Sequence, residues 1–145
     1  MWRWIERGPE LALAAEAAVM LLLARLLVAR VPMRYWRGTL GVTTPGDGRP
    51  TPGPTGGHEV SPALWRIRLA VHRATRRLPV RLRCLPKAMA LQWMARRRGL
   101  DCTLHIGLAR DAAEPLHAWI DCGSVQVMGR TPDTTYQSLW SIRSC

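Results

Sequence analysis

The stretch RCLPKAMALQWMARRRGL, residues 83–100, decides how the chain is read. A cysteine stands two residues before a proline, and a helical pattern starts at once. Pro86 is tolerated in a first helical turn. Ala88, Met89, Leu91 and Met94 recur near the helical period, and Gly99 is a natural stop after three arginines. The predicted helix runs from about Cys84 to Arg98, with its arginines opposing the negative end of the helix dipole. Unpaired N–H groups at its start favour a thiolate at Cys84, and Arg81 and Arg83 push the same way. A lone cysteine there is more often a small core residue than a nucleophile. Its context has to decide.

Downstream the period changes. In DCTLHIGL the residues Cys102, Leu104, Ile106 and Leu108 alternate with Thr103, His105 and Gly107, which predicts a half-buried strand. ARDAAEP reads as a loop. LHAWID and SVQVMG read as two short strands joined by a tight turn at Cys122-Gly123, and TYQSLWSI as a further strand. The expected architecture is α+β: a helix carrying Cys84 packed on a small antiparallel meander. Along LHAWID, His117, Trp119 and Asp121 share one face, and Ala118 and Ile120 take the other. A sheet packed on the helix start brings His117 to Cys84, the pairing that nucleophilic thiol catalysis requires. A lone strand histidine is more often structural, so order and context carry the reading.

Upstream, residues 9–31 read as one apolar helix, opened by Pro9 and ended by Pro32. Glu16 and Arg25 leave only residues 17–24 uncharged, short of the ~20 apolar residues that a membrane span needs. A buried or partner-packed helix is expected, with attachment to a membrane surface a minority reading. Residues 43–57, TTPGDGRPTPGPTGG, predict a mobile linker. The organisation expected is a helical region over 1–42, a Pro/Gly-rich linker over 43–60 and the chemistry-bearing domain over 61–145. Ser61-Pro62 opens a helix that Pro79 ends. Leu64, Trp65, Ile67, Leu69 and Val71 supply its apolar side, and Arg66, Arg68, Arg73, Arg76 and Arg77 a basic, solvated face.

The 145 residues carry a formal charge of +11. Such a surface attracts nucleic acid, anionic lipid or acidic protein, and charge alone does not choose among them. The cysteines at 84, 102, 122 and 145 show neither CxxC nor zinc-ligand spacing. With no cleavable signal in the opening residues, a reducing cytoplasm and free thiols are the simpler expectation.

CLPKAMALQWMARRRGL, then LHIGLAR, then LHAWIDCGSVQVMGR resemble the transglutaminase-like leader peptidase of lasso-peptide biosynthesis, the B protein or its C-terminal half. In that family Cys-Leu-x-x-Ala begins the helix, Arg-Arg-Arg-Gly ends it, Leu-x-Ile-Gly follows on a strand, and His-Ala-Trp marks the histidine strand. The elements cover about residues 78–130; VPMRYWRGTLG resembles the N-terminal region more loosely. The resemblance implies a transglutaminase-like, papain-like cysteine protease core with Cys84 as nucleophile and His117 as its base. It implies no cofactor and no metal. It implies three partners: the leader of a ribosomally made precursor, a small leader-recognition protein, and an ATP-dependent, asparagine-synthetase-like lasso cyclase. Nucleic acid is not among them, and membrane contact is not expected.

The family's triad wants an aspartate on the strand after the histidine, and here the sequence departs. A turn at Cys122-Gly123 puts Met128 or Gly129 opposite His117, and neither can hold an imidazole. Asp121 shares the face, but four residues along a strand is roughly 13 Å. Asp133, just beyond the hairpin, ranks first as orienting group, and a backbone carbonyl or a water second. His105 is left as a structural or substrate-side residue. The alternative function is a non-catalytic basic helical module for an anionic partner or membrane surface.

Overall fold

A computed structural model of the chain describes residues 7–52, 61–110, 113–123, 125–129 and 134–144. Its centre is the helix α4 (Cys84–Arg96), whose residues from Ala88 to Ala95 are all buried. A helix apolar on every side needs cover on every side. α4 lies between a helical layer, α1 (Arg7–Arg30) and α3 (Pro62–Arg77), and an antiparallel sheet. The only buried polar side chain on α4, Gln92, fastens the layers. Its Nε2 donates to the carbonyls of Leu40, Cys102 and Ile142 at 3.3, 3.1 and 3.0 Å.

α3 begins as its sequence predicts: the Ser61 hydroxyl accepts from the Leu64 N–H at 3.3 Å, with Pro62 in the first turn. Leu64, Ile67, Ala70, Val71 and Ala74 face inward. Trp65 does not join them. It is half exposed, with the Arg68 guanidinium over its ring.

α1 packs on α3 and α4 through Ala17, Leu21 and Ala24. Contrary to the sequence reading, it is long and apolar enough to cross a membrane by length and composition. One of its two interrupting charges, Glu16, is neutralised within the fold. The Glu16 carboxylate accepts from both Arg98 guanidinium nitrogens, at 3.1 and 2.6 Å, and this holds its pKa below the usual range. A short helix α2 (Met33–Trp36) and a 3₁₀ turn (Arg37–Thr39) then dock on α4. Trp93 Nε1 donates to the Thr39 hydroxyl at 3.0 Å, and Arg96 to the Thr39 carbonyl at 2.8 Å.

The sheet has six strands: β1 (Val42–Pro45), β2 (Pro50–Pro52), β3 (Thr103–Ala109), β4 (Leu116–Cys122), β5 (Val125–Met128) and β6 (Thr135–Arg143). Their order is β1-β6-β3-β4-β5, with β2 also on β6. Three expectations change here. The segment read as a mobile linker supplies β1 and β2, both paired with β6; residues 53–60 lie outside the described ones. Its prolines are tolerated because both strands are sheet edges, where one side of the backbone needs no ladder partner. The simple meander is also broken, since β6 returns to the far side of β3 instead of extending from β5. Finally, the hairpin turn falls one residue later, with Cys122 opposite Val125. Cys122 is therefore a strand residue. The Thr103–Asp121 register sets it beside Cys102, Cα to Cα 4.2 Å, and the two form a disulfide in place of the expected free thiols.

Candidate active site

Cys84 is the first residue of α4, and His117 is near the start of β4. Packing of α4 on β4 brings them to one cleft, close enough for the imidazole and the thiol to shift each other's titration. Among the described residues Cys84 is the only free cysteine, and it is partly exposed.

The second ring nitrogen of His117 also has a partner. Nε2 hydrogen-bonds to the backbone carbonyl of Gly129, immediately after β5. With Nε2 as the donor to that carbonyl, Nδ1 is left as the nitrogen that can take a proton. Gly129, excluded on sequence as a partner for the imidazole, supplies the backbone carbonyl that ranked second as orienting group. A glycine is needed to present it. Gly129 has φ +101°, and an added Cβ would lie 2.7 Å from the Ala118 carbonyl oxygen and 2.9 Å from the Trp119 Cα. A bulge between Ile120 and Asp121 shifts the β4–β5 register on the way to this contact. Asp133, ranked first as orienting group, lies outside the described residues.

Burial raises the Cys84 pKa and is the largest single effect. The hydrogen bond to His117, the N–H of Ala118, the charge of His117 and the N–H of Leu85 together outweigh it, so the thiol titrates below its ordinary value. Leu85 supplies the helix-start N–H expected from sequence. Arg81 and Arg83 are not among the groups that shift the thiol. His117 moves the other way. The bond to Cys84 raises its pKa most, burial lowers it, and the Gly129 carbonyl and the charges of Cys84 and Glu114 raise it again. Opposed shifts favour a thiolate beside an imidazolium, the form in which a cysteine attacks a carbonyl and a histidine protonates the leaving group.

The pair opens into a cleft of about 670 Å³. Val28 and Ala29 of α1, Leu85, Pro86, Ile106 and Leu116 give it an apolar lining. No group of three or more potential metal ligands occurs among the described residues.

Asp121 does not approach His117. Its Oδ2 lies 3.4 Å from His105 Nε2, while His105 Nδ1 meets the hydroxyls of Ser141 and Ser138 at 2.9 and 3.2 Å. Trp119 stacks between the two histidines, with ring centroids 5.4 Å from His105 and 6.5 Å from His117.

A cysteine at the start of a buried helix, facing a histidine on an antiparallel sheet, is the α+β arrangement of transglutaminase-like proteins. The chain belongs to the transglutaminase-like superfamily, which it matches over residues 18–141, from within α1 to β6. No curated protein and no solved structure matches it significantly.

Proposed function

We propose that this protein is a cysteine peptidase that removes the leader from a lasso-peptide precursor. The observation that carries the reading is the Cys84–His117 pair in an open cleft, on the two sequence signatures, Cys-Leu-x-x-Ala and His-Ala-Trp, that resemble the leader peptidases. The Cys84 thiolate attacks the carbonyl at the leader–core junction. The N–H groups of Cys84 and Leu85 are the candidate donors to the oxyanion, since Pro86 has none. The tetrahedral intermediate collapses, the C–N bond breaks, and His117 gives its proton to the departing core amine. A thioester then joins Cys84 to the leader's new C-terminus. His117, now neutral, takes a proton from water as it attacks; the leader leaves as a carboxylic acid and the thiolate returns.

The proposed partners are the precursor leader, a small leader-recognition protein that delivers it, and an asparagine-synthetase-like cyclase that consumes the freed amine with ATP. A cytoplasmic site of action is part of this proposal on the ground of the cyclase's ATP alone, since the Cys102–Cys122 disulfide takes away the free-thiol argument for it. Transfer of the acyl group to an amine would use the same two residues, and the superfamily includes such chemistry. The test is to incubate the protein with a lasso precursor and its leader-recognition protein and weigh the products. A free leader acid and a core with a new N-terminus are expected, both absent with Cys84→Ala. A leader product lighter than the acid by the mass of water and heavier by that of an added amine would replace hydrolysis with transfer. An active Cys84→Ala variant would reject the nucleophile.

A further inference from the structure

The cleft around Cys84 is apolar except at its rim, where the charges are unbalanced. Arg25 projects from α1, and Arg81 and Arg83 come from the segment entering α4; the lining carboxylate opposing them is Glu114. All three arginines are exposed, and none takes part in an ion pair among the described residues. By contrast, Arg98 and Arg143 pair closely with Glu16 and Asp101. Three guanidinium groups from two separate segments thus converge on the opening that holds the candidate nucleophile. They do not act on the thiol itself, whose shift has other causes. Guanidinium groups recognise carboxylates through paired N–H donors.

We propose that Arg25, Arg81 and Arg83 are specificity-determining residues, and that the cleft takes a peptide carrying an acidic side chain beside an apolar one within about two residues of the bond to be cut. The apolar side chain occupies the lining formed by Val28, Leu85, Ile106 and Leu116, and the carboxylate meets the rim. This rests on the peptidase reading, so the first measurement is independent of cleavage. Cys84 is alkylated with iodoacetate and with iodoacetamide, and the ratio of the two rates is compared between wild type and R25Q/R81Q/R83Q at one pH. The anionic reagent is expected to lose about fivefold relative to the neutral one in the variant, as three exposed charge interactions imply. An unchanged ratio overturns the proposal.

The second measurement uses the C84A protein and labelled short peptides of Ala and Leu, in which one Glu or Gln moves along the chain. Binding is followed by anisotropy. The Glu peptides are expected to bind about fivefold more tightly at low salt, with the preference lost at high salt and in R25Q/R81Q/R83Q on the C84A background. Equal binding of Glu and Gln peptides overturns the specificity. Preferential binding of Glu peptides that wild type leaves intact would uphold the specificity while rejecting the peptidase reading alone. Circular dichroism of each arginine variant checks folding; if the triple variant unfolds, the R81Q and R83Q single variants carry the same comparison.

Discussion

Two histidines flank Trp119 on the sheet, and their partners differ in kind. His105 has the carboxylate of Asp121 and two serine hydroxyls. His117 has a thiol and a backbone carbonyl. A Ser–His–Asp grouping looks more like a hydrolytic triad on paper than a cysteine, a histidine and a glycine. Position reverses that impression. His117 opens on the cleft with a nucleophile at a helix start, while neither His105 nor its serines line that cleft. The pairing is set by strand register. Asp121 stands opposite Thr103, so its side chain lies diagonal to His105 and at the far end of β4 from His117. An imidazole needs an acceptor on its second nitrogen to fix its tautomer, and a well-placed carbonyl supplies one without a carboxylate.

The largest expected effect separates the two histidines outright. His117→Ala should cost roughly 10²–10⁴-fold or more in cleavage, since the imidazole both accepts and donates the proton. His105→Ala should retain most activity in the same single-turnover assay. The pH profile gives the sign. Cleavage rises as Cys84 loses its proton below the ordinary thiol value, and falls as the His117 imidazolium, held above its ordinary value, loses the proton needed by the leaving amine. The two limbs belong to the coupled pair. In His117→Ala the burial effect on Cys84 stands unopposed by its main partner, so alkylation of the thiol should begin at higher pH than in wild type. An alkylation profile unmoved by His117→Ala would break the pairing.

Gly129 tests the carbonyl. Gly129→Ala places a Cβ against the backbone of Ala118 and Trp119 at a φ of +101°. The strain should cost about 1–3 kcal/mol of stability by denaturant unfolding. The carbonyl should shift, with at least about a tenfold loss of cleavage. A purely structural effect would leave the falling pH limb in place. Loss of the acceptor that helps to raise His117 should move that limb to lower pH.

Much of this architecture is legible in residues 83–129, because the evidence there is periodic. The even spacing of Leu104, Ile106 and Leu108 marks β3, and Pro86 and Gly99 bracket α4. Cys84 and His117 stand out as reactive types in an order that a known family shares. What sequence hides is long-range. The Pro- and Thr-rich segment looks unstructured because its composition cannot make a core, yet β1 and β2 borrow order from β6, about ninety residues away in the chain by the ladder register. A turn displaced by one residue conceals the Cys102–Cys122 bond, and a bulge conceals the reach of Gly129. A backbone carbonyl has no residue type to search for. Deleting residues 42–52 should accordingly weaken the fold, since it strips both edge strands from β6.

The smallest expected effect lies at Asp121, and it decides whether the histidines are independent. Asp121→Asn keeps the shape of the side chain and an oxygen able to accept from His105. It removes a charge that is about four-fifths buried. Loss of the charge-assisted contact should lower stability by about 1 kcal/mol. Cleavage should stay within about threefold of wild type, because the stacked Trp119 ring between the histidines can transmit position but not a proton. If coupling through Trp119 were strong, Asp121→Asn would shift the falling limb of the cleavage profile as Gly129→Ala does. A matched shift in both variants would make the Asp121–His105 pair part of the orienting machinery. A shift confined to Gly129→Ala would leave the backbone carbonyl as the group that holds His117.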